Sequence, residues 1–388
     1  MAKESTIRNK LNLLYITSQI FPTPKASTVQ VMQMCAAFAA NDIRVKLVAR
    51  APENGKLSSK ELQKHYDVTD NFEINQRGLP RGLRATDNYQ IQAILRNRSA
   101  ANLCYTRGRD VTAPLIALMS GLSACVELHT PPASKRERWS LRLVQSHPRG
   151  QLVMLTENLR MYYASKLGFS QKHLIVAPDG VDSKRFYPTL PAHEARKSLG
   201  MSDGPWVIYI GGLYEGRGLN TLFRAATRLP HNTMVVGGRN EAEIRKWKKT
   251  ANQINAKNVY FAGYQPPSKV PMYLAAADAL VMPYDKTIMT PSGEDTAAWA
   301  SPLKMFEYMA AARPIVATDL SIVKGVLKHN HNALLITPGD ATALRNALQR
   351  LNTNPQLRER LANNARSDAS HHTWDARAQH IIANLGVN

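Results

Sequence analysis

Ser301-Pro302-Leu303-Lys304-Met305-Phe306-Glu307-Tyr308-Met309-Ala310-Ala311-Ala312-Arg313-Pro314, followed by Ile315-Val316-Ala317-Thr318-Asp319, is the stretch whose reading decides the fold. Ser301 is a good helix N-cap, and Pro302 suits the first helical position. Leu303, Met305, Phe306, Met309 and Ala310 make a wide apolar stripe at helical spacing. Arg313-Pro314 stops the helix, and Ile315-Val316-Ala317 reads as a buried strand. The first N–H groups of such a helix lack acceptors, which suits a phosphate. Glu307 lies close enough to that start to reach a ligand held there. Taken alone, the stretch also fits an amphipathic helix with one exposed Glu.

Outward from it, the chain keeps alternating strand and helix. Residues 11–17 read as a first strand, a Pro-rich loop occupies 21–27, a helix 29–40 and a second strand 44–49. That order opens a parallel α/β sheet, whose ligands lie at the carboxyl ends of the strands. Residues 18–28 therefore fall on a site rim. Residues 51–84 are polar and aperiodic and read as irregular. Further strands are expected at 103–106, 124–128, 152–156, 206–210 and 234–236. His129 follows the buried strand 124–128, where active-site residues of this architecture collect. The stretch 135–142, Lys-Arg-Glu-Arg-Trp-Ser-Leu-Arg, is basic with an interleaved Trp and Leu. It suits either a solvated helix face or a cationic lip for an anionic acceptor or lipid headgroups.

Composition narrows the classes. The 388 residues suit two α/β domains, and 44% hydrophobic content supports sizeable cores. Cys35, Cys104 and Cys125 are widely spaced, in no metal-ligand or redox pattern, as expected in a reducing cytoplasm. The apolar run 13–16 is too short for a signal peptide, and no stretch approaches the ~18 apolar residues of a membrane span. The formal net charge of +21 favours an anionic partner, and about +13 of it lies before residue 186. A nucleic-acid binder is disfavoured: the arginines are scattered, without aromatic platforms or a known module.

Several stretches, in order, share a further pattern. They are His129-Thr130-Pro131; Ala177-Pro178-Asp179-Gly180-Val181-Asp182 with Phe186; Gly211-Gly212-Leu213 with Arg217-Gly218; Val259-Tyr260-Phe261-Ala262-Gly263; and SPLKMFEYMAAARPIVATD itself. Together they resemble the retaining group 1 glycosyltransferases of family 4. The resemblance implies the GT-B fold, in which two Rossmann-like domains face each other across a cleft. It implies an acceptor-side domain at 1–188, a nucleotide-sugar domain at 189–370 and a helix at 371–388 crossing back to the first. The division is expected near 187–194.

The resemblance also implies roles. Glu307 would bind the donor ribose. The amides of Ser301 and Leu303, with Lys304, would hold phosphate, as would Ser27 and Thr28. Arg217 would clamp the diphosphate, and backbone near Tyr264 would read the base. His129 would meet the sugar at the reacting carbon as the catalytic residue. Ser292, Gly293 and Glu294 would line the sugar site. Lys135, Arg136, Arg138 and Arg142 would face the acceptor or a membrane. No metal or cofactor is implied. The partners are a nucleotide-diphospho-sugar, a lipid-linked or saccharide acceptor, and an anionic membrane surface on the cytoplasmic side. The sequence departs from the family pattern in places. Gly212 stands where a second clamp cation belongs, Trp299 replaces a second Glu, and Asp179 replaces an Asn. Those departures keep open a donor-binding inactive subunit, and a GT-B epimerase is the rival enzyme.

Overall fold

The structure, a computed structural model, describes residues 11–385 apart from Pro24, Asp70, Pro188, Thr290, Pro291, Ser292 and Glu294. Ser292 and Glu294, two of the expected sugar-site residues, thus lie outside the described residues. The chain packs as two units: Met1–Asp179 with Trp374–Asn388, and Gly180–Thr373.

In the first unit, β1 (Asn12–Ile20), β2 (Arg44–Arg50), β3 (Glu73–Arg77), β4 (Leu103–Arg107), β5 (Ser123–Leu128), β6 (Gly150–Met154) and β7 (Leu174–Val176) form one sheet. Its order is β3-β2-β1-β4-β5-β6-β7, with every pairing parallel. The helices are α1 (Ala26–Ala40), α2 (Ser59–Tyr66), α3 (Ala85–Leu95), α4 (Thr112–Met119), α5 (Lys135–Ser146) and α6 (Glu157–Ser165). The central strands are covered on both faces and read as near-continuous apolar runs; β5 is buried along its whole length.

Residues 51–84 are not irregular, as the sequence suggested. They contain α2, started by a capping box between Ser58 and Glu61, and the edge strand β3. The edge position explains the missed strand: only Ile74 and Gln76 of Glu-Ile-Asn-Gln-Arg are buried.

The second unit holds β8 (Trp206–Ile210), β9 (Asn232–Val236), β10 (Val259–Gly263), β11 (Ala279–Met282), β12 (Ile315–Thr318) and β13 (Leu334–Ile336). The sheet order is β10-β9-β8-β11-β12-β13. Its helices are α7 (Ala192–Ser198), α8 (Leu219–Ala226), α9 (Glu241–Gln253), α10 (Val270–Ala275), α11 (Leu303–Ala310), α12 (Ser321–Lys324), α13 (Ala341–Thr353) and α14 (Pro355–Ala369). Val181 and Phe186 are buried in this unit's core, so it begins at Gly180, ahead of the expected division. Met305, Phe306 and Met309 of α11 fill the same core, as their helical spacing predicts. One local expectation is corrected. The helix begins at Leu303 with Pro302 in the cap position and no side-chain cap, so Ser301 is not its N-cap. Proline pre-sets the chain there without donating or accepting through a side chain.

The last helix, α15 (Trp374–Ala383), packs on α1 in the first unit. Arg377 anchors it. Its Nη2 donates to Glu127 Oε2 at 2.8 Å, and its Nε to the Pro178 carbonyl at 2.9 Å. The fully buried Glu127 also accepts from the Tyr105 hydroxyl at 2.7 Å and from Gln30 Nε2 at 2.6 Å. Burial alone would raise the Glu127 carboxyl. Arg377, then the His129 hydrogen bond and Arg107, outweigh burial and hold it well below the usual carboxylate range. Removing one member of such a pair strands a buried charge. Arg377→Ala is expected to destabilise the first unit by about 3–5 kcal/mol, while removing both charges as Glu127→Leu/Arg377→Met costs less. Urea unfolding of the three proteins checks this; equal losses would mean that the pair carries no coupling.

Candidate functional site

In the second unit the expected donor residues gather at the carboxyl ends of the strands. After β8 the chain turns through Gly211 (φ +146°), where a methyl group would overlap Lys304 Nζ. Lys304, on the first turn of α11, reaches into that notch. Its Nζ lies 4.0 Å from the Tyr209 ring centre and 5.2 Å from that of Tyr284. Arg217 comes from the loop before α8, with its Cζ 4.9 Å from the Tyr284 ring centre and 5.8 Å from that of Tyr214. Gly218 (φ +71°) lets this loop close onto the Pro283 carbonyl, where a side chain would not fit.

Both cations are unusual in what they lack. Lys304 Nζ and Arg217 Nε are shut off from solvent with no hydrogen-bond partner among the described residues. Neither side chain forms an ion pair with a described carboxylate. Burial, then the Arg217 charge, pulls the Lys304 ammonium well below its ordinary value, with Glu307 opposing. Burial would also lower Arg217, but the phenol oxygens of Tyr284, Tyr209 and Tyr214 hold it up. Glu307, one helical turn after Lys304, is partly buried and accepts no hydrogen bond among the described residues. Burial raises its carboxyl, offset by Arg185 and Lys304. The first N–H groups of α11 have no intrahelical acceptor. One corner of the second unit thus collects two unpaired cations, a helix start and an open carboxylate.

The remaining expected residues of this unit are accounted for as follows. Gly212 accepts the Tyr209 hydroxyl on its carbonyl at 2.6 Å, which fixes that ring under Lys304. Tyr264, just after β10, is exposed. Gly293 is exposed with φ +83°. The sequence missed Tyr209 and Tyr284, whose tyrosines inside apolar runs read simply as core.

In the first unit, His129 lies at the end of β5 with both ring nitrogens engaged. Nε2 is 2.7 Å from Glu127 Oε1, and Nδ1 is 3.0 Å from Arg107 Nη2. Because Arg107 only donates, Nδ1 accepts and the proton sits on Nε2, facing Glu127. Burial, then the Arg107 charge, lowers the imidazole to about 4, so the ring is neutral at physiological pH. Asp179 is pushed up to about 7 by burial, with Arg377 opposing and Glu127 adding to the rise. Near neutrality this carboxyl is therefore about half protonated, closer to the Asn it replaces than its formula suggests.

The hydroxyls of Ser27 and Thr28 are turned inward. Ser27 Oγ donates to Gln19 Oε1 at 2.6 Å. Thr28, fully buried, has its Oγ1 2.8 and 2.9 Å from the carbonyl oxygens of Thr23 and Lys25. Of the basic residues after His129, Arg138 and Arg142 donate to the Leu167 carbonyl at 3.2 and 2.5 Å. Arg136 pairs with Asp87 at 2.8 Å, and Lys135 is exposed.

Comparison with known proteins adds the family. Residues 192–368, nearly all of the second unit, match the family model described as Glycosyl transferases group 1. Among curated proteins, an alpha-D-kanosaminyltransferase of Streptomyces kanamyceticus is 24% identical over 44% of this chain and 42% of its own. A lipopolysaccharide core biosynthesis glycosyltransferase, LpsE of Rhizobium meliloti, is 27% identical over 42% of this chain and 43% of its own. The chain thus spans about half or less of the length of these relatives. Among solved structures, HepE of Anabaena in complex with UDP and glucose superposes with a TM-score of 0.73 at 15% identity, covering 97% of this chain and 100% of its own. That likeness, together with the seven- and six-stranded parallel sheets, shows the fold. Residues 192–368 thus resemble the group 1 glycosyl transferases, and the chain has the GT-B fold.

Proposed function

We propose that this protein is a retaining glycosyltransferase of family 4. It moves a sugar from a nucleotide-diphospho-sugar to a saccharide or lipid-linked acceptor in surface polysaccharide or glycolipid synthesis, at the inner face of the cell membrane. One observation carries the reading: Lys304 Nζ and Arg217 Nε are shut off from solvent beside tyrosine rings, and neither side chain has a carboxylate partner among the described residues. Desolvated cations without a carboxylate partner are costly, and an incoming diphosphate relieves that cost. Glu307 beside them suits the two vicinal hydroxyls of a ribose. The related fold of HepE is described with UDP and glucose, which makes UDP the first probe.

In the transfer, the bond between the sugar's anomeric carbon and the diphosphate oxygen breaks. The nucleoside diphosphate leaves with the electron pair, and an acceptor hydroxyl bonds to the same carbon while its proton passes to the departing diphosphate oxygen. Lys304, Arg217 and the start of α11 stabilise the charge that develops on the leaving group. On this reading no metal is needed, because these groups supply the positive charge a divalent ion would bring. Lys304 also answers the departure at Gly212. The cation absent from that position arrives from α11 through the notch at Gly211, which weakens the case for an inactive subunit. An epimerase would need free acid and base groups. Glu127 is ionised and fully hydrogen-bonded, and His129 has neither ring nitrogen available, so both count against that rival.

Three outcomes are expected. Glu307→Gln removes a charge-assisted hydrogen bond worth ~1.5–3 kcal/mol, so calorimetric titration should show UDP binding about tenfold or more weaker; unchanged affinity would remove Glu307 from the ribose site. Arg217→Ala should weaken UDP far more than UMP, and equal losses would make Arg217 a structural residue. The third outcome concerns pH. Lys304 is held below its ordinary value and a diphosphate binds best to its protonated form, so affinity should fall as pH rises through the range in which Lys304 loses its proton. Lys304→Met should lower affinity and flatten that slope; an identical slope in the variant would assign the proton elsewhere.

A further inference from the structure

The first unit holds a second pair of cations that donor binding does not use. Arg50 ends β2 and Arg77 ends β3, and the two are partners in the parallel register. Neighbouring strands lie about 4.8 Å apart, and partnered residues point to the same face, so the two side chains start out side by side. Like charges placed in this way are destabilising. The loop from β3 to α3 adds to them. Arg77-Gly78-Leu79-Pro80-Arg81-Gly82-Leu83-Arg84 has three arginines and no carboxylate, and Arg81 and Arg84 are exposed.

Neither guanidinium of the pair has a carboxylate partner among the described residues. Arg50 Nε is shut off from solvent without a hydrogen-bond partner, and Nη1 reaches only the Ser18 carbonyl, at 3.4 Å. The Arg77 side chain makes no hydrogen bond among the described residues. Burial, then the Arg96 charge, pulls its guanidinium below the ordinary value, with Tyr89 opposing. Tyr89 on α3 completes the group. It is 2% exposed, and its hydroxyl has no partner among the described residues. Burial and Asp110 raise its phenol while Arg77 and Arg50 oppose the rise, which sets the four residues close together. Asp110 does not neutralise the arginines. It is buried and spent on neutral donors, the Ser18 amide at 2.8 Å and Gln90 Nε2 at 2.9 Å.

The backbone under the pair is fixed. The Ala51 amide donates to the Arg77 carbonyl at 2.9 Å. Gln76, on the opposite face, donates to the Phe21 carbonyl at 2.6 Å and accepts from the Leu57 amide at 2.8 Å. The arginines therefore grow from a rigid sheet edge, as a site of defined geometry needs.

We infer that Arg50, Arg77 and Tyr89 form a phosphomonoester site, and that the acceptor of the transfer carries that group. Two forked guanidinium groups match the roughly two charges and several oxygens of a phosphomonoester. A carboxylate or a phosphodiester brings one charge. The Tyr89 hydroxyl supplies a further donor. Ligands of parallel sheets lie at the carboxyl ends of the strands, where this group stands. With the nucleotide assigned to the second unit, the first unit's strand ends fall to the other substrate. That step rests on the glycosyltransferase reading; the phosphate site does not.

The test is calorimetric titration of the full chain with glucose 6-phosphate, glucose 1-phosphate, inorganic phosphate and dimethyl phosphate. Phosphate groups can also enter the donor corner, so each titration is run with saturating UDP and again, without nucleotide, on Lys304→Met/Arg217→Ala. The second arm stands even where UDP does not bind, which separates failure here from failure of the donor reading. At least one hexose phosphate should bind in both arms, tighter than inorganic phosphate and about tenfold or more tighter than the diester. Arg50→Gln and Arg77→Gln should each weaken it about tenfold or more, and Tyr89→Phe should weaken it less. Arg44→Gln, at the opposite end of β2, should leave it unchanged. Melting temperatures should hold or rise in Arg50→Gln and Arg77→Gln, because a like-charge contact is removed. The inference is overturned by an absence of binding in both arms, by equal binding of the diester or of inorganic phosphate, or by a loss in Arg44→Gln as large as in Arg77→Gln. A lower melting temperature in Arg77→Gln with binding intact would make the pair structural and overturn it too.

Discussion

Two basic side chains set beside one another without a carboxylate partner are the constraint on which the second unit's site turns. A protein ordinarily neutralises or pairs such groups. Here Tyr209 and Tyr284 accept them on their ring faces, and the Tyr209 hydroxyl is spent on the Gly212 carbonyl so that its ring stays in place. The glycine at 211 exists in this setting as space: any side chain would displace Lys304. The site is thus held by shape and by aromatic faces, with no carboxylate competing for a ligand.

The first unit solves the opposite problem. Its central carboxylate, Glu127, is fully buried and fully satisfied, by Arg377, Tyr105, Gln30 and His129. The result is a rigid strand end in which the His129 ring is held neutral in one tautomer, by a carboxylate on one side and a guanidinium on the other. A ring fixed in this way has both nitrogens engaged.

Much of the fold was legible because the chain is locally consistent. The apolar stripe at 303–310 and the β-branched run at 315–317 each bury what their spacing predicts. The edge strand β3 was hidden because one face is polar, and the start of α11 was misplaced by one residue because proline pre-sets a helix entry without capping it. At the site, Glu307 and Arg217 stood out through resemblance, and Lys304 was noticed without its setting. What it rests on comes from Tyr209 and Tyr284, on other elements of the sheet, and no short-range spacing announces that meeting. The same holds for Glu127 and Arg377, which are 250 residues apart. The surface of α5 was half legible: helical periodicity places Trp139 and Leu143 together, while the inward turn of Arg138 and Arg142 depends on the end of α6.

The most direct measurement of the central claim is a crystal structure of the protein with UDP bound. The account predicts phosphate oxygens within about 3 Å of Lys304 Nζ and of the Arg217 guanidinium, with the ribose hydroxyls on Glu307. A diphosphate bound elsewhere, with Lys304 and Arg217 still stacked on their tyrosines and untouched by phosphate, would contradict it.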